Sequence, residues 1–209
     1  MRIAVITASI TPCDRPRCTR RCDDRPRLIE EAKASVETQT LAPVVHLVET
    51  TVCSAVEGAE SAVRNRLIAQ ARDEYGCDWV AFLDDDDILD AHHLAVLASV
   101  VAAEPGIVMA HSRCRVTVDG VQVPDAKLWR EREWNAEAIQ RHNWIPVTVL
   151  LRVSAWEEHG PFEAVRNEEW KLWKKLGLAG CEVGSTDVVT WTYRNPGWMR
   201  PRKERRLVG

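Results

Sequence analysis

The 209-residue chain is poor in phenylalanine and tyrosine, with two of each, against nine tryptophans. It has no apolar stretch near the roughly 20 residues that a membrane-spanning helix requires. Its opening run, "MRIAVITASI", is too short in apolar residues for a secretory leader. A charge excess of either sign is missing as well. Basic residues number 28 and acidic ones 31, a net charge of -3, so the whole surface is no general magnet for nucleic acid. A paired CxxC zinc pattern is absent: Cys13, Cys18 and Cys22 are separated by four and then three residues. Seven cysteines, an odd number without an export signal, read as reduced thiols, and the cytoplasm is the expected compartment.

What remains is an ordinary globular balance, 45% hydrophobic and 28% charged, in a chain long enough for one sizeable domain. Short β-branched or apolar runs predict strands at Met1 to Ser9, in "APVVHLVET" and in "DWVAFLD". Between them, Leu28, Ala32 and Val36 keep helical spacing, as do Val63, Leu67 and Ala71 in "ESAVRNRLIAQARDEYG", with Gly76 as the stop. Asp90 is placed to cap a helix over "AHHLAVLASVVAAEP", which Pro105 closes. This alternation predicts an α/β fold, a three-layer α/β/α sandwich around a mostly parallel central sheet. Asp119-Gly120 between two extended runs signals a hairpin. "NWIPVTVLLRVSAWEEHG" gives a strand and a short helix, "NEEWKLWKKLGLAG" a helix stopped by Gly177 or Gly180, and "DVVTWTYR" a last strand. One domain is expected over residues 1–199, in halves 1–104 and 105–199, followed by a basic, frayed tail at 200–209.

Four consecutive carboxylates, Asp84 to Asp87, follow the apolar "WVAFL" directly. Ligands of open α/β sheets gather at the carboxyl ends of the strands, and the third strand delivers the aspartates to that rim. Their mutual repulsion is relieved when a divalent cation binds. Oxygen-only ligands suit Mg²⁺ or Mn²⁺, and Mg²⁺ commonly takes substrate phosphates as well. The plainer alternative is a solvated acidic turn before a helix, where aspartate is favoured anyway.

"WVAFLDDDD" followed by a helix resembles the DxD segment of the family-two glycosyltransferases, which have the GT-A fold. Further pieces resemble that family in its own order: "RIAVIT", "DRPRLIEEAKASVETQT", "SAVRNRLIAQA", "VLLRVSAWEEHGPFE", "NEEWKLWKKLGLAG" and "VVTWTYR". The resemblance implies an inverting transfer of one sugar from a nucleotide-diphosphate donor, with Mn²⁺ or Mg²⁺ on the diphosphate. Asp84 and Asp86 match the two motif aspartates, with Asp86 the first choice as direct ligand, and Asp85 belongs to the donor site. A fixed cation would stabilise the charge gained by the leaving diphosphate.

The family's general base is the aspartate of an "ED" pair. Here the pair is Glu168-Glu169, so Glu169 takes that position with one more methylene. Its spacing agrees, because Glu169, Leu172, Trp173 and Leu176 share one helical face. For Glu168, the general preference for acids in a first helical turn suffices. Thr7, Ala8 and Ser9, at the end of the first strand, are candidates for the nucleotide base, and Glu49 stands where relatives place an acidic base contact. Arg64 and Asn65 are candidates for the same pocket, and Arg25 for phosphate. The Arg-rich insertion carrying Asp14-Arg15-Pro16-Arg17 reads as a lid. The resemblance implies that residues 1–104 form the nucleotide-sugar half and 105–199 the acceptor half. Trp129, Trp134, Trp144, Trp170, Trp173 and Trp198 lie in the latter, although core packing explains most single tryptophans. The QxxRW motif and spans of processive synthases are missing, and "TYRNPGWM" lacks the late histidine that some relatives bring to the diphosphate. His92 and His93, early in a helix after the aspartates, are candidate ligands but read first as exposed. The acceptor, whether glycan, protein, small molecule or modified nucleic acid, is left open.

Two rival classes share parts of the pattern. A haloacid-dehalogenase-like phosphohydrolase also has a strand ending in DxD, with Asp84 as nucleophile and Asp86 as acid/base. It expects threonine or valine where Ile88 stands, and an earlier motif. A non-catalytic nucleotide-sugar or cation-binding module is the other.

Overall fold

The computed structural model describes residues 1–10, 24–51, 59–123 and 133–195. In chain order these form β1 (Ile3–Ile10), α1 (Arg25–Glu37), β2 (Val45–Thr51), α2 (Ala59–Asp73), β3 (Trp79–Phe82), β4 (Ile88–Leu89), α3 (His93–Ala103), β5 (Ile107–Val118) and β6 (Val121–Gln122). A 3₁₀ turn (Ala138–Gln140), β7 (Leu150–Arg152), α4 (Val153–His159), α5 (Glu168–Leu178) and β8 (Glu182–Asn195) follow. The basic tail at 200–209, the insertion with Cys13, Cys18 and Cys22, and Trp129 and Trp198 lie outside the described residues.

One sheet runs through both halves in the order β2-β1-β3-β7-β5-β8-β4, with β6 on β5. Its faces follow from strand alternation. Ala4, Ile6, Ala8, Val80 and Phe82 join Val63, Leu67, Ile68 and Ala71 of α2 and Leu172, Trp173 and Leu176 of α5 in one core. Ile3, Val5, Trp79 and Ala81 point the other way, onto Ala32 and Val36 of α1 and Leu94, Leu97 and Val101 of α3. The three-layer α/β/α sandwich is therefore present, and the residues at helical spacing are the ones it buries. No helix among the described residues is long and apolar enough to cross a membrane.

The sheet is mostly parallel by the length of its pairings, with short antiparallel ones added. β1 is parallel to β2 and β3, and β5 to β8. β7 is antiparallel to both β3 and β5, β4 to β8, and β6 to β5. A parallel neighbour needs a crossover, usually a helix. No α-helix lies between β5 and β7 among the described residues, so the chain returns reversed.

Local differences have local causes. α1 begins at Arg25 rather than Leu28, with Pro26 in its first turn, where a missing N–H costs nothing. Asp90 does not cap α3, which has His92 at its N-cap and no side-chain cap bond. The Asp90 carboxylate instead accepts from Arg115 Nη1 at 2.8 Å, a charge-assisted bond that outcompetes a cap. Asp119 and Gly120 take φ values of 50° and 80°, the two positive angles of a tight hairpin turn, and join β5 to β6 as the sequence implies.

Candidate active site

β3 ends at Phe82, and the chain then turns over its acidic run, with Asp87 N–H donating to the Asp84 carbonyl at 3.1 Å. This turn explains how four adjacent carboxylates coexist: each meets a different environment. Ser9, at the end of β1, donates its hydroxyl to Asp85 Oδ2 at 2.6 Å, and Arg25 forms an ion pair with the other oxygen. Arg64 Nη2 donates to Asp84 Oδ1 at 2.8 Å. Asp87, 2% exposed, accepts the backbone N–H of Arg194 at 2.9 Å. Burial and the charges of Asp86 and Asp84 hold the Asp87 carboxyl well above its ordinary range. Burial, with Asp84 and Asp85 beside it, pushes Asp86 up to about 6 against the pull of Arg25 and Arg194. The Arg194 guanidinium also reaches the Asp86 carbonyl oxygen and Glu31, tying β8 and α1 to the turn.

The buried Arg64 of α2 bridges this run to the mouth of α5, because its Nη1 pairs with Glu168. Burial works against its charge, but Asp84, Glu168 and Glu169 overcome that and hold the guanidinium protonated. Glu168 is therefore a buried-arginine partner, 15% exposed at its side chain, and not merely a favourable first-turn acid. Glu169 lies beside it in the same turn of α5, which enters from Asn167 at φ 56°, a left-handed angle that asparagine tolerates. Asn143 donates its amide N–H to Glu169 Oε1 at 2.9 Å. Burial first, and the Glu168 charge second, push the Glu169 carboxyl up to about 7; its backbone bond and Arg64 pull the other way. A carboxyl near neutrality is suited to taking and giving a proton at physiological pH.

Not every expected residue joins this cluster. Thr7 is buried, and its hydroxyl lies 2.9 Å from His46 Nε2, between β1 and β2. Ala8 is buried in the core against α2 and α5. Glu49 pairs with Arg66 near the end of β2. Asn65 uses its amide for structure: Nδ2 donates to the Phe162 carbonyl at 2.9 Å, while Oδ1 accepts from Phe162 N–H and Trp156 Nε1, each at 3.0 Å. His93 is fully buried, with Nδ1 2.7 Å from Thr190 Oγ1, and burial pushes it down to about 4. The exposed helix position expected of it belongs to His92 alone. Trp173 and Trp170 serve the core, donating to the carbonyls of Ile145 at 3.0 Å and Ile139 at 2.6 Å.

Asn143, Arg194 and Glu31 were not foreseeable from motif spacing. Glu168 had one signal, an acid pair in a chain whose α2 carries an arginine within its apolar face. Among the described residues, no three histidine, cysteine, aspartate or glutamate side chains converge as a ready metal cage. Asp84 and Asp86 supply an all-oxygen pair, and burial first, with the Asp84 and Asp85 charges second, makes Asp86 resist ionising. That donor set fits a hard divalent ion taking its remaining ligands from substrate oxygens and water.

No protein-family sequence model matches the chain, and no curated protein sequence does. Solved structures do. S. aureus TarS 1–349 matches with a TM-score of 0.65 and 15% identity, over 93% of this chain and 60% of that one. TarS 1–349 in complex with UDP gives 0.64 and 14%, over 93% and 61%. Its complex with UDP-GlcNAc gives 0.63 and 14%, over 93% and 59%. This chain thus spans less than two thirds of those chains, and at such identity the likeness is one of fold: a GT-A-like mixed α/β domain.

Proposed function

We propose that this domain is a glycosyltransferase that moves one sugar from a nucleoside-diphosphate sugar to an acceptor hydroxyl with inversion at the anomeric carbon. The observation that carries this reading is Glu169, a half-buried carboxyl pushed up to about 7 at the mouth of α5, coupled through Arg64 to the acidic turn after β3. The fold adds support, since TarS, whose structures hold UDP and UDP-GlcNAc, shares it. UDP-sugars are accordingly the first donors to test.

In the proposed reaction, Glu169 takes the acceptor O–H proton as that oxygen forms its bond to the anomeric carbon. The bond from that carbon to the diphosphate oxygen breaks on the opposite face, and the nucleoside diphosphate leaves with the electron pair. Asn143 orients the Glu169 carboxylate, and Arg64 keeps Asp84 and the α5 mouth in register. A Mg²⁺ or Mn²⁺ held by Asp84 and Asp86 would supply positive charge to the leaving diphosphate. Ser9 and Arg25 fix Asp85, and through it the shape of the turn. Thr7, Ala8 and Glu49 remain candidates to border the nucleotide; the amide of Asn65 is already committed to Phe162 and Trp156.

The test is titration calorimetry of UDP and UDP-GlcNAc with Mn²⁺, before and after EDTA, on the native chain and Asp86→Ala. Metal-dependent binding that Asp86→Ala abolishes is the expected result. EDTA-insensitive, unchanged affinity in the variant would contradict the metal assignment. A phosphate trapped on Asp84 would instead favour the phosphohydrolase reading.

A further inference from the structure

Three arginines from three different elements grip the acidic turn, and they grip it differently. Arg25 of α1 pairs with the Asp85 carboxylate, and Arg64 of α2 with that of Asp84. Arg194 of β8 takes the main chain instead. Its Nε donates to the Asp86 carbonyl oxygen, and its Nη2 lies 3.4 Å from the carbonyl oxygens of Asp87 and Leu28. Its Nη1 pairs with Glu31 of α1, and its own backbone N–H donates to Asp87 Oδ1 at 2.9 Å. One side chain, 13% exposed, thus fastens the turn to both the last strand and the first helix.

The sheet register puts Arg194 in this place. β4 and β8 are antiparallel with Ile88 opposite Thr192, and continuing that register brings Asp86 opposite Arg194. The consequence falls on Asp86. The carboxylates of Asp84, Asp85 and Asp87 are each committed to a donor. Asp86 is held by its carbonyl oxygen, and no hydrogen bond to its half-buried carboxylate is present among the described residues. A guanidinium can hold a carbonyl and a carboxylate at once through its rigid fork, whereas an ammonium is a single point charge. Supports of this kind orient metal ligands and are worth about 10- to 100-fold in metal affinity. Coulomb's law alone gives Arg194 the opposite effect, because a fixed positive charge beside a cation site repels the cation. The two effects differ in sign, so one measurement separates them.

We propose that Arg194 is a positioning residue for the divalent cation: it fixes the main chain at Asp86 and so sets that carboxylate for the ion, and this gain outweighs the repulsion between its own charge and the ion's. The role rests on the reading of Asp84 and Asp86 as the ligands of that ion. Arg194 itself touches neither the ion nor the reacting atoms; it acts through Asp86.

The test is titration of the full chain with Mn²⁺, with and without UDP, following the free ion by electron paramagnetic resonance. The proteins compared are the native chain, Arg194→Gln, Arg194→Lys and Arg115→Gln. Arg194→Gln should bind Mn²⁺ about 10- to 100-fold more weakly; repulsion alone would have it bind more tightly. Arg194→Lys keeps the charge and loses the fork, so it should be weakened as well. Being the milder change, it carries the test should Arg194→Gln not fold. Arg115→Gln breaks a different arginine tie, from β5 to Asp90 just after β4, and should leave Mn²⁺ affinity unchanged. Affinity in Arg194→Gln equal to or above the native value, full affinity in Arg194→Lys, or an equal loss in Arg115→Gln overturns the positioning role. A native chain that binds no Mn²⁺ in either condition removes the metal reading and the role together. The expected losses beside a failed transferase assay would remove the transfer reading and keep the role.

Discussion

Asn143 donates a 2.9 Å hydrogen bond to Glu169 from a segment 26 residues earlier in the chain. The bond fixes which way the carboxyl points and favours its charged form, while burial disfavours that form. Burial and the Glu168 charge outweigh the opposing pull of its own backbone bond and of Arg64, and the resulting value of about 7 suits the base role proposed for Glu169.

The pH profile of turnover should therefore rise through about 7 as Glu169 loses its proton. Asn143→Leu removes a donor to the charged form, so the midpoint should move to higher pH. Glu168→Gln removes a neighbouring negative charge, so it should move to lower pH. Rates measured across a pH series spanning neutrality for the three proteins check both directions; shifts of the same sign would contradict this picture of the site.

Folding stability gives an independent reading of the same carboxyl. Its folded value of about 7 exceeds its ordinary 4.5, so the folded chain keeps a proton that the unfolded chain loses first. The stabilisation is complete below about 4.5 and is lost as pH rises through about 7. Glu169→Gln never ionises, so its Tm should exceed that of the native chain about one pH unit above the folded value and approach it near the ordinary one. Scanning calorimetry at the two pH values checks this.

Arg64 should matter more for stability than a surface arginine. Arg64→Met leaves Glu168 and Asp84 without their shared cation. Breaking such a pair costs about 3 kcal/mol, the low end for buried pairs, because Asp84 keeps 37% of its side chain exposed. Urea unfolding is the measurement; a loss below about 1 kcal/mol would place Arg64 among ordinary surface ion pairs.

Much of this was legible in the sequence because it is local. The spacing of Val63, Leu67 and Ala71, the turn at Asp119-Gly120, and the acid run after "WVAF" are each decided within a few residues. The half-buried position of Glu169 was legible for the same reason, since its helix displays Leu172, Trp173 and Leu176 on the same side. What was not legible depends on residues far apart. The reversed insertion of β7 between β3 and β5 is a choice of topology, not of local pattern. Asn65 looks like a site residue until Phe162 and Trp156 occupy its amide. Glu168 looks like a helix-start preference until the fold sets a buried arginine against it. Asp90 looks like a cap until Arg115 claims it.

Glu169 is proposed as the base for transfer, with no role in holding the donor. The most direct measurement is nucleoside-diphosphate release from the UDP-sugar that binds, for the native chain and Glu169→Gln, beside the donor affinity of each. General-base catalysis contributes roughly 10²- to 10⁴-fold. The variant should lose turnover by about that factor with donor affinity unchanged. Turnover equal to the native chain's, or an equal loss in donor affinity, would contradict the assignment.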